Sequence, residues 1–89
     1  MKIDFSGRTA IVTGAAHGLG RAITHGLASR GATVWACDII EQEVIEMRST
    51  SGAPAGERIR YRTVDVTDKG QVGSLAAEAS AGAGHVDIL

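Results

Sequence analysis

The sequence predicts an α/β protein built on a three-layer, doubly wound parallel sheet. Short apolar, β-branched runs alternate with helix-like segments along the 89 residues, and this alternation favours parallel strands joined by crossover helices. The first apolar run ends in a glycine-rich turn, residues 13–20, which opens directly into a helical pattern. Because crossovers between parallel strands are right-handed, the expected strand order is 3-2-1-4, the first half of a doubly wound fold.

Each element follows from a local pattern. The predicted strands cover residues 8–13, 33–38, 58–64 and 86–89, and the predicted helices cover about 18–30, 41–49 and 68–81. A loop is expected over residues 51–56, where Gly, Ser and Pro cluster. We therefore expect one partial domain over residues 1–89 that ends within strand four.

The helices should be amphipathic. In helix one, Leu19, Ile23 and Leu27 recur every fourth residue, and Ala22 and Gly26 leave a thin face for close approach to the sheet. The inward positions expected in the other two helices are Ile40, Val44 and Met47, and then Val72, Leu75, Ala76 and Ala79. Thr67 is the expected N-cap of helix three.

Strand three carries three arginines, at positions 58, 60 and 62, alternating with Ile59 and Tyr61. This pattern is compatible with an anion site on one strand face. We favour the simpler interpretation that charge protects a sheet edge from aggregation.

Composition excludes several classes of protein. The net charge is −1, which argues against a nucleic-acid or membrane-surface partner selected by bulk electrostatics. The single cysteine, Cys37, has no internal disulfide partner and favours a reducing compartment. Neither a signal peptide nor a spanning helix is apparent. We therefore expect a cytoplasmic protein.

The glycine-rich turn predicts a phosphate site. Its spacing is Thr-Gly-x-x-x-Gly-x-Gly, with the glycines at positions 14, 18 and 20. Gly14 would make the tight exit from strand one, while Gly18 and Gly20 would admit a pyrophosphate and let the helix pack closely. The turn is not a P-loop, because Arg21 stands where Lys-Ser/Thr would be required.

Four landmarks in order resemble the short-chain dehydrogenase/reductase family. They are residues 10–20, Asp38 at the end of strand two, Asp65-Val66-Thr67-Asp68 after strand three, and residues 85–89 at strand four. The resemblance implies a Rossmann-type fold and an NAD(P)-dependent oxidoreductase of alcohols or ketones. Its implied partner is a small-molecule dinucleotide.

The resemblance also implies roles for particular residues. Asp38 would hold the ribose hydroxyls, Ile39 would pack on the adenine ring, and Asp65 and Val66 would contact the adenine edge. The predicted cofactor-binding residues are Gly14, His17, Gly18, Leu19, Gly20, Asp38, Ile39, Asp65 and Val66. No metal site is predicted, since no cysteine or second histidine lies at ligand spacing.

The expected cofactor is NAD, with NADP as the alternative. A carboxylate at Asp38 would repel the 2′-phosphate of NADP. NADP users in the resembled family tend to carry Arg or Lys where this sequence has His17 and Ile39. His17 could carry partial positive charge in a phosphate-rich site, which leaves NADP open.

The family's catalytic residues have no counterpart in this sequence. The family uses a Tyr with a Lys four residues later, but Tyr61 is followed there by Asp65, and the sequence contains no asparagine. We therefore predict no catalytic residue and no activity for this chain alone. The alternatives to a part of an oxidoreductase are a non-catalytic NAD-binding module and half of a split enzyme. Association through an exposed strand-four edge is also expected.

Overall fold

The computed structural model describes residues 4–50, 58–81 and 86–88. The strands are β1 (Thr9–Thr13), β2 (Thr33–Asp38), β3 (Ile59–Thr63) and β4 (Val86–Ile88), and the helices are α1 (Gly18–Ser29), α2 (Glu41–Thr50) and α3 (Lys69–Ala81). All strand pairs are parallel, and the sheet order is β3-β2-β1-β4. The predicted α/β class is confirmed.

The sheet is covered on both faces, so the fold has three layers. Val12, Val34 and Tyr61 lie in one core cluster, together with residues of α1 and α2. Ile11 and Trp35 lie in the other, together with residues of α3. Neighbouring residues of one strand thus serve opposite clusters, as the pleat requires. The carboxyl ends of β1, β2 and β3 meet at one edge.

The face that α1 buries differs from the predicted one. Thr24 and Ala28 are its buried residues, whereas Leu19 is 76% exposed. Ile23 and Leu27 are partly buried against the core. Small side chains therefore face the sheet, and the larger ones fill the margins of the contact. Of the predicted four-residue repeat, Ile23 and Leu27 therefore contact the core and Leu19 does not. Ala22, expected on the face closest to the sheet, is exposed.

The other helices show smaller differences from the prediction. In α2, Val44 and Met47 are buried, but Ile40, just before the helix, is half-exposed. In α3, Leu75 and Ala79 are buried and Val72 is exposed. The expected cap at Thr67 is wrong. The Asp68 carboxylate accepts hydrogen bonds from the N–H groups of Gly70 and Gln71, which makes Asp68 the N-cap of α3.

Arg62, one of the arginines of β3, makes its contacts within the protein. Ile59 and Tyr61 are buried, as their alternation with arginine predicts. Arg62 pairs with Glu78 of α3, and its guanidinium lies 4.9 Å from the centre of the Trp35 ring. These contacts agree with a charged sheet edge.

Two predictions fall wholly or partly outside the described residues: the loop over 51–56, and residues 85 and 89 of the landmark at strand four. Among the described residues, each helix is too short or too polar to span a lipid bilayer.

Candidate functional site

The glycine turn connects β1 to α1 in a conformation that favours glycine. Gly14 has φ of 64° and Gly18 has φ of 44°, both in the left-handed region that side chains disfavour. A Cβ atom at either position would meet nothing within 4 Å. Backbone geometry, rather than packing, therefore requires these two glycines. The turn is anchored to β2 because Ala15 N–H donates to the carbonyl of Cys37 at 2.9 Å.

Gly20 has a different role, because it allows close packing. A Cβ atom at this position would lie 2.3 Å from the carbonyl oxygen of Gly14. The first turn of α1 thus lies directly against the end of β1. Of the two glycines expected to let the helix pack closely, Gly20 does so.

The start of α1 presents free backbone donors. The first bond of the helical ladder is from Arg21 N–H to the His17 carbonyl, at 3.1 Å. Within the described part of the chain, the N–H groups of Gly18, Leu19 and Gly20 have no acceptor. The first turn also carries no acidic side chain. Because the positive end of the helix dipole lies here, this is an arrangement suited to an anion.

Asp38 lies at the end of β2, and its carboxylate is buried against the turn. Its Oδ2 accepts a hydrogen bond from Ala16 N–H at 3.2 Å, and its Oδ1 accepts one from Ile39 N–H at 2.8 Å. Asp38 is therefore buried at the turn and is not a solvated loop acid. The bond to Ala16 was not foreseen, since the sequence shows only that an acid ends the strand.

A cavity of about 260 Å³ brings five of the predicted residues together at the carboxyl ends of the strands. It is lined by Thr13, Gly14, Cys37, Asp38, Ile39, Val64, Asp65, Val66 and Thr67. Ile39 and Val66 offer apolar side chains that are 58% and 57% exposed. Gly18, Leu19 and Gly20 lie outside this lining, at the start of α1. A larger cavity of about 510 Å³, between β3 and α3, contains none of the predicted residues.

The carboxylate of Asp65 is held by hydrogen bonds from its own loop. Its Oδ1 accepts hydrogen bonds from Thr67 N–H at 2.9 Å and Thr67 Oγ1 at 2.6 Å. These bonds lower the pKa of the Asp65 carboxyl below its usual value, so the group is ionised at neutral pH. Its Oδ2 accepts no bond from the described residues.

Cys37 contributes apolar surface to the cavity rather than chemistry. Burial raises the pKa of its thiol to about 11. The thiol is therefore protonated at neutral pH, and it is neither a nucleophile nor a ready metal ligand.

His17 lies on a second, adjacent cavity of about 280 Å³, which is lined by Ala16, His17, Arg21, Glu43, Glu46 and Met47. Its Nε2 lies 2.6 Å from Oε2 of Glu43 on α2. The sequence pattern did not predict this contact of Glu43. An acid in the first turn of a helix is fully explained by the helix dipole, so no separate signal identified it.

His17, Asp38 and Glu43 form a compact cluster, with ligand-type atoms all within 4.8 Å of one another. Protein contacts account for it, since His17 bonds Glu43 and Asp38 accepts two backbone N–H groups. The absence of a metal site remains a prediction.

Residues 8–89 match the short chain dehydrogenase family. The short chain dehydrogenase/reductase dpchG of Colletotrichum higginsianum is 38% identical over 88 residues, which cover 94% of this chain and 31% of that protein. The cis-4-hydroxycyclohexanecarboxylate dehydrogenase of Sinomonas cyclohexanicum is 40% identical over 85 residues, covering 96% and 33%.

A solved structure shows the same fold. The short chain dehydrogenase/reductase of Burkholderia phymatum, in complex with NAD, superposes with a TM-score of 0.79 at 32% identity, covering 94% of this chain and 30% of that one. The chain thus spans about a third of the length of the relatives that it matches. By the match over residues 8–89, the chain belongs to the short-chain dehydrogenase family.

Proposed function

We propose that the chain is the amino-terminal, NAD-binding part of an oxidoreductase that acts on an alcohol or a ketone. The observation that carries this proposal is the juxtaposition of two features. Free N–H groups at Gly18, Leu19 and Gly20 open α1, and the carboxylate of Asp38 is tied to the same turn through Ala16. The first feature suits a diphosphate, and the second suits a ribose diol.

The residues present fit the adenosine diphosphate half of NAD. The amides of α1 would bind the pyrophosphate, and the open space at Gly14 and Gly18 lets it approach the backbone. Asp38 would accept from the ribose hydroxyls. The adenine would pack on Ile39 and Val66, and its amino group would donate to Asp65. When bound, NAD supplies a nicotinamide ring that accepts or donates hydride.

Tyr61 does not supply the acid/base group for such a reaction. Its side chain is buried in the core cluster with Val34 and Met47, and Asp65 stands four residues later. A buried core tyrosine lies out of reach of a substrate. We therefore propose that residues 1–89 bind the cofactor without turning it over.

Calorimetric titration of NAD, NADP and 5′-AMP into the purified chain tests the proposal. We expect saturable binding of NAD and AMP, weaker binding of NADP, and no oxidation of NADH in the presence of carbonyl compounds. Failure of both NAD and AMP to bind would refute the binding role. Hydride transfer to a carbonyl by this chain would refute the proposed lack of turnover.

We also propose that the outer edge of β4 is an association surface. Within the described residues, β4 pairs only with β1, and an unpaired strand edge is a template for another strand. Light scattering should show a mass that rises with concentration. A constant monomer mass up to millimolar concentration would count against this surface.

A further inference from the structure

We infer that Glu43 acts together with Asp38 to exclude a 2′-phosphate, so that the preference for NAD over NADP does not depend on Asp38 alone. This inference rests on the proposed function, because it assumes that Asp38 faces the ribose. It assigns a role in cofactor specificity to Glu43 of α2, which lies outside both the glycine-rich turn and the end of β2.

The distances place Glu43 beside the ribose carboxylate. Ligand-type atoms of His17, Asp38 and Glu43 all lie within 4.8 Å of one another. A substituent on a ribose hydroxyl bound by Asp38 would therefore lie close to a second carboxylate. The Glu43 side chain is only 28% exposed, so solvent screens its charge less than that of a fully exposed acid.

Glu43 also contacts His17, a side chain of the turn that could otherwise attract the phosphate. His17 Nε2 lies 2.6 Å from Glu43 Oε2, so this nitrogen is held toward α2. The side chain that stands where NADP users of the family tend to carry Arg or Lys thus already has a carboxylate partner.

The other charges around the cavity of about 280 Å³ at His17 do not reverse the repulsion of a 2′-phosphate. Four ionisable groups line it: His17, Arg21, Glu43 and Glu46. Arg21 makes an interaction of its own within the protein. Glu43 and Glu46 of α2 line the cavity, and a carboxylate oxygen of Asp38 lies within 4.8 Å of one of Glu43. A 2′-phosphate would therefore bring further negative charge among three carboxylates.

The substitution Glu43→Gln tests this role, because it removes the charge and keeps the size of the side chain. The probes are 2′,5′-ADP and 5′-AMP, which differ only in the 2′-phosphate. We expect 2′,5′-ADP to bind about tenfold more tightly to E43Q than to the unmodified chain, as expected for removing one charge about 5 Å from a phosphate dianion in a solvated site. The affinity for 5′-AMP should change by less than about twofold.

Glu41→Gln is the matched control. Glu41 lies in the same first turn of α2, is exposed, and does not line the cavity. We expect E41Q to bind 2′,5′-ADP and 5′-AMP with the same ratio of affinities as the unmodified chain. An equal rise in 2′,5′-ADP affinity in E41Q and E43Q would mean that only net charge matters, and it would overturn the inference.

The outcomes separate this inference from the proposed function. If neither 5′-AMP nor NAD binds the unmodified chain, the proposed function fails and the inference with it. If both bind and E43Q leaves the affinity ratio unchanged, the inference alone is wrong. A tenfold shift confined to 2′,5′-ADP and to E43Q supports it.

Discussion

The substitution Gly20→Ala is expected to destabilise the fold by about 3 kcal/mol, the upper end of the usual cost of overpacking. The added Cβ would lie 2.3 Å from the Gly14 carbonyl oxygen and 3.0 Å from its carbon. Both atoms are backbone, so the clash is relieved only if α1 moves away from the end of β1. A loss of this size is a large part of the roughly 5–10 kcal/mol expected for a small domain. Urea denaturation followed by circular dichroism measures it.

Gly26→Ala is the control in the same helix. A Cβ atom there would meet only Nη1 of Arg30, at 3.6 Å, which is an ordinary contact. Because alanine is the better helix former, this variant should gain about 0.5–1 kcal/mol. If Gly20→Ala and Gly26→Ala have similar stability, α1 does not lie against the turn as described.

The second large effect is expected on cofactor affinity. Asp38→Ala should weaken NAD binding by roughly 10- to 100-fold, since hydrogen bonds to a charged group are worth about 1.5–3 kcal/mol. The variant would lose the proposed acceptor for the ribose, and it would release Ala16 N–H, which Asp38 now holds in the turn. NADP binding should fall less, because the repulsion of its 2′-phosphate is removed as well. Calorimetry with both dinucleotides measures the change in the ratio.

Asp4→Ala is a matched loss of charge away from the site. Among the described residues, Asp4 bonds the N–H and hydroxyl of Ser6, and it precedes β1, at the end of the strands opposite the cavity. We expect NAD affinity within about twofold of the unmodified chain, as usual for an exposed site. If Asp38→Ala also retains full NAD affinity while remaining folded, Asp38 is not the ribose acceptor.

The strands and the glycine turn could be predicted because local patterns determine them. The apolar run of β1 and the β-branched start of β2 fit strands buried on both faces. Gly14 and Gly18 occupy left-handed positions, which the glycine spacing anticipates. Asp38 was placed correctly at the end of β2 because a strand end is a local property.

Other features depend on contacts that no local pattern contains. In α1, the closely packed positions are small residues: Gly20 lies against Gly14, and Thr24 and Ala28 are buried. Thr67 does not cap α3, because its hydroxyl donates to Asp65 instead. The contact between His17 and Glu43 joins residues 26 positions apart, and it becomes visible only once α2 is packed against the turn.

A two-dimensional amide NMR titration of the nitrogen-15-labelled chain with NAD tests directly whether the first turn of α1 binds a diphosphate while Asp38 holds the neighbouring sugar. We expect saturable shifts at the amides of Gly18, Leu19 and Gly20, with further shifts at Ile39 and Val66. Saturable binding that leaves the amides of residues 18–20 unmoved would contradict the account.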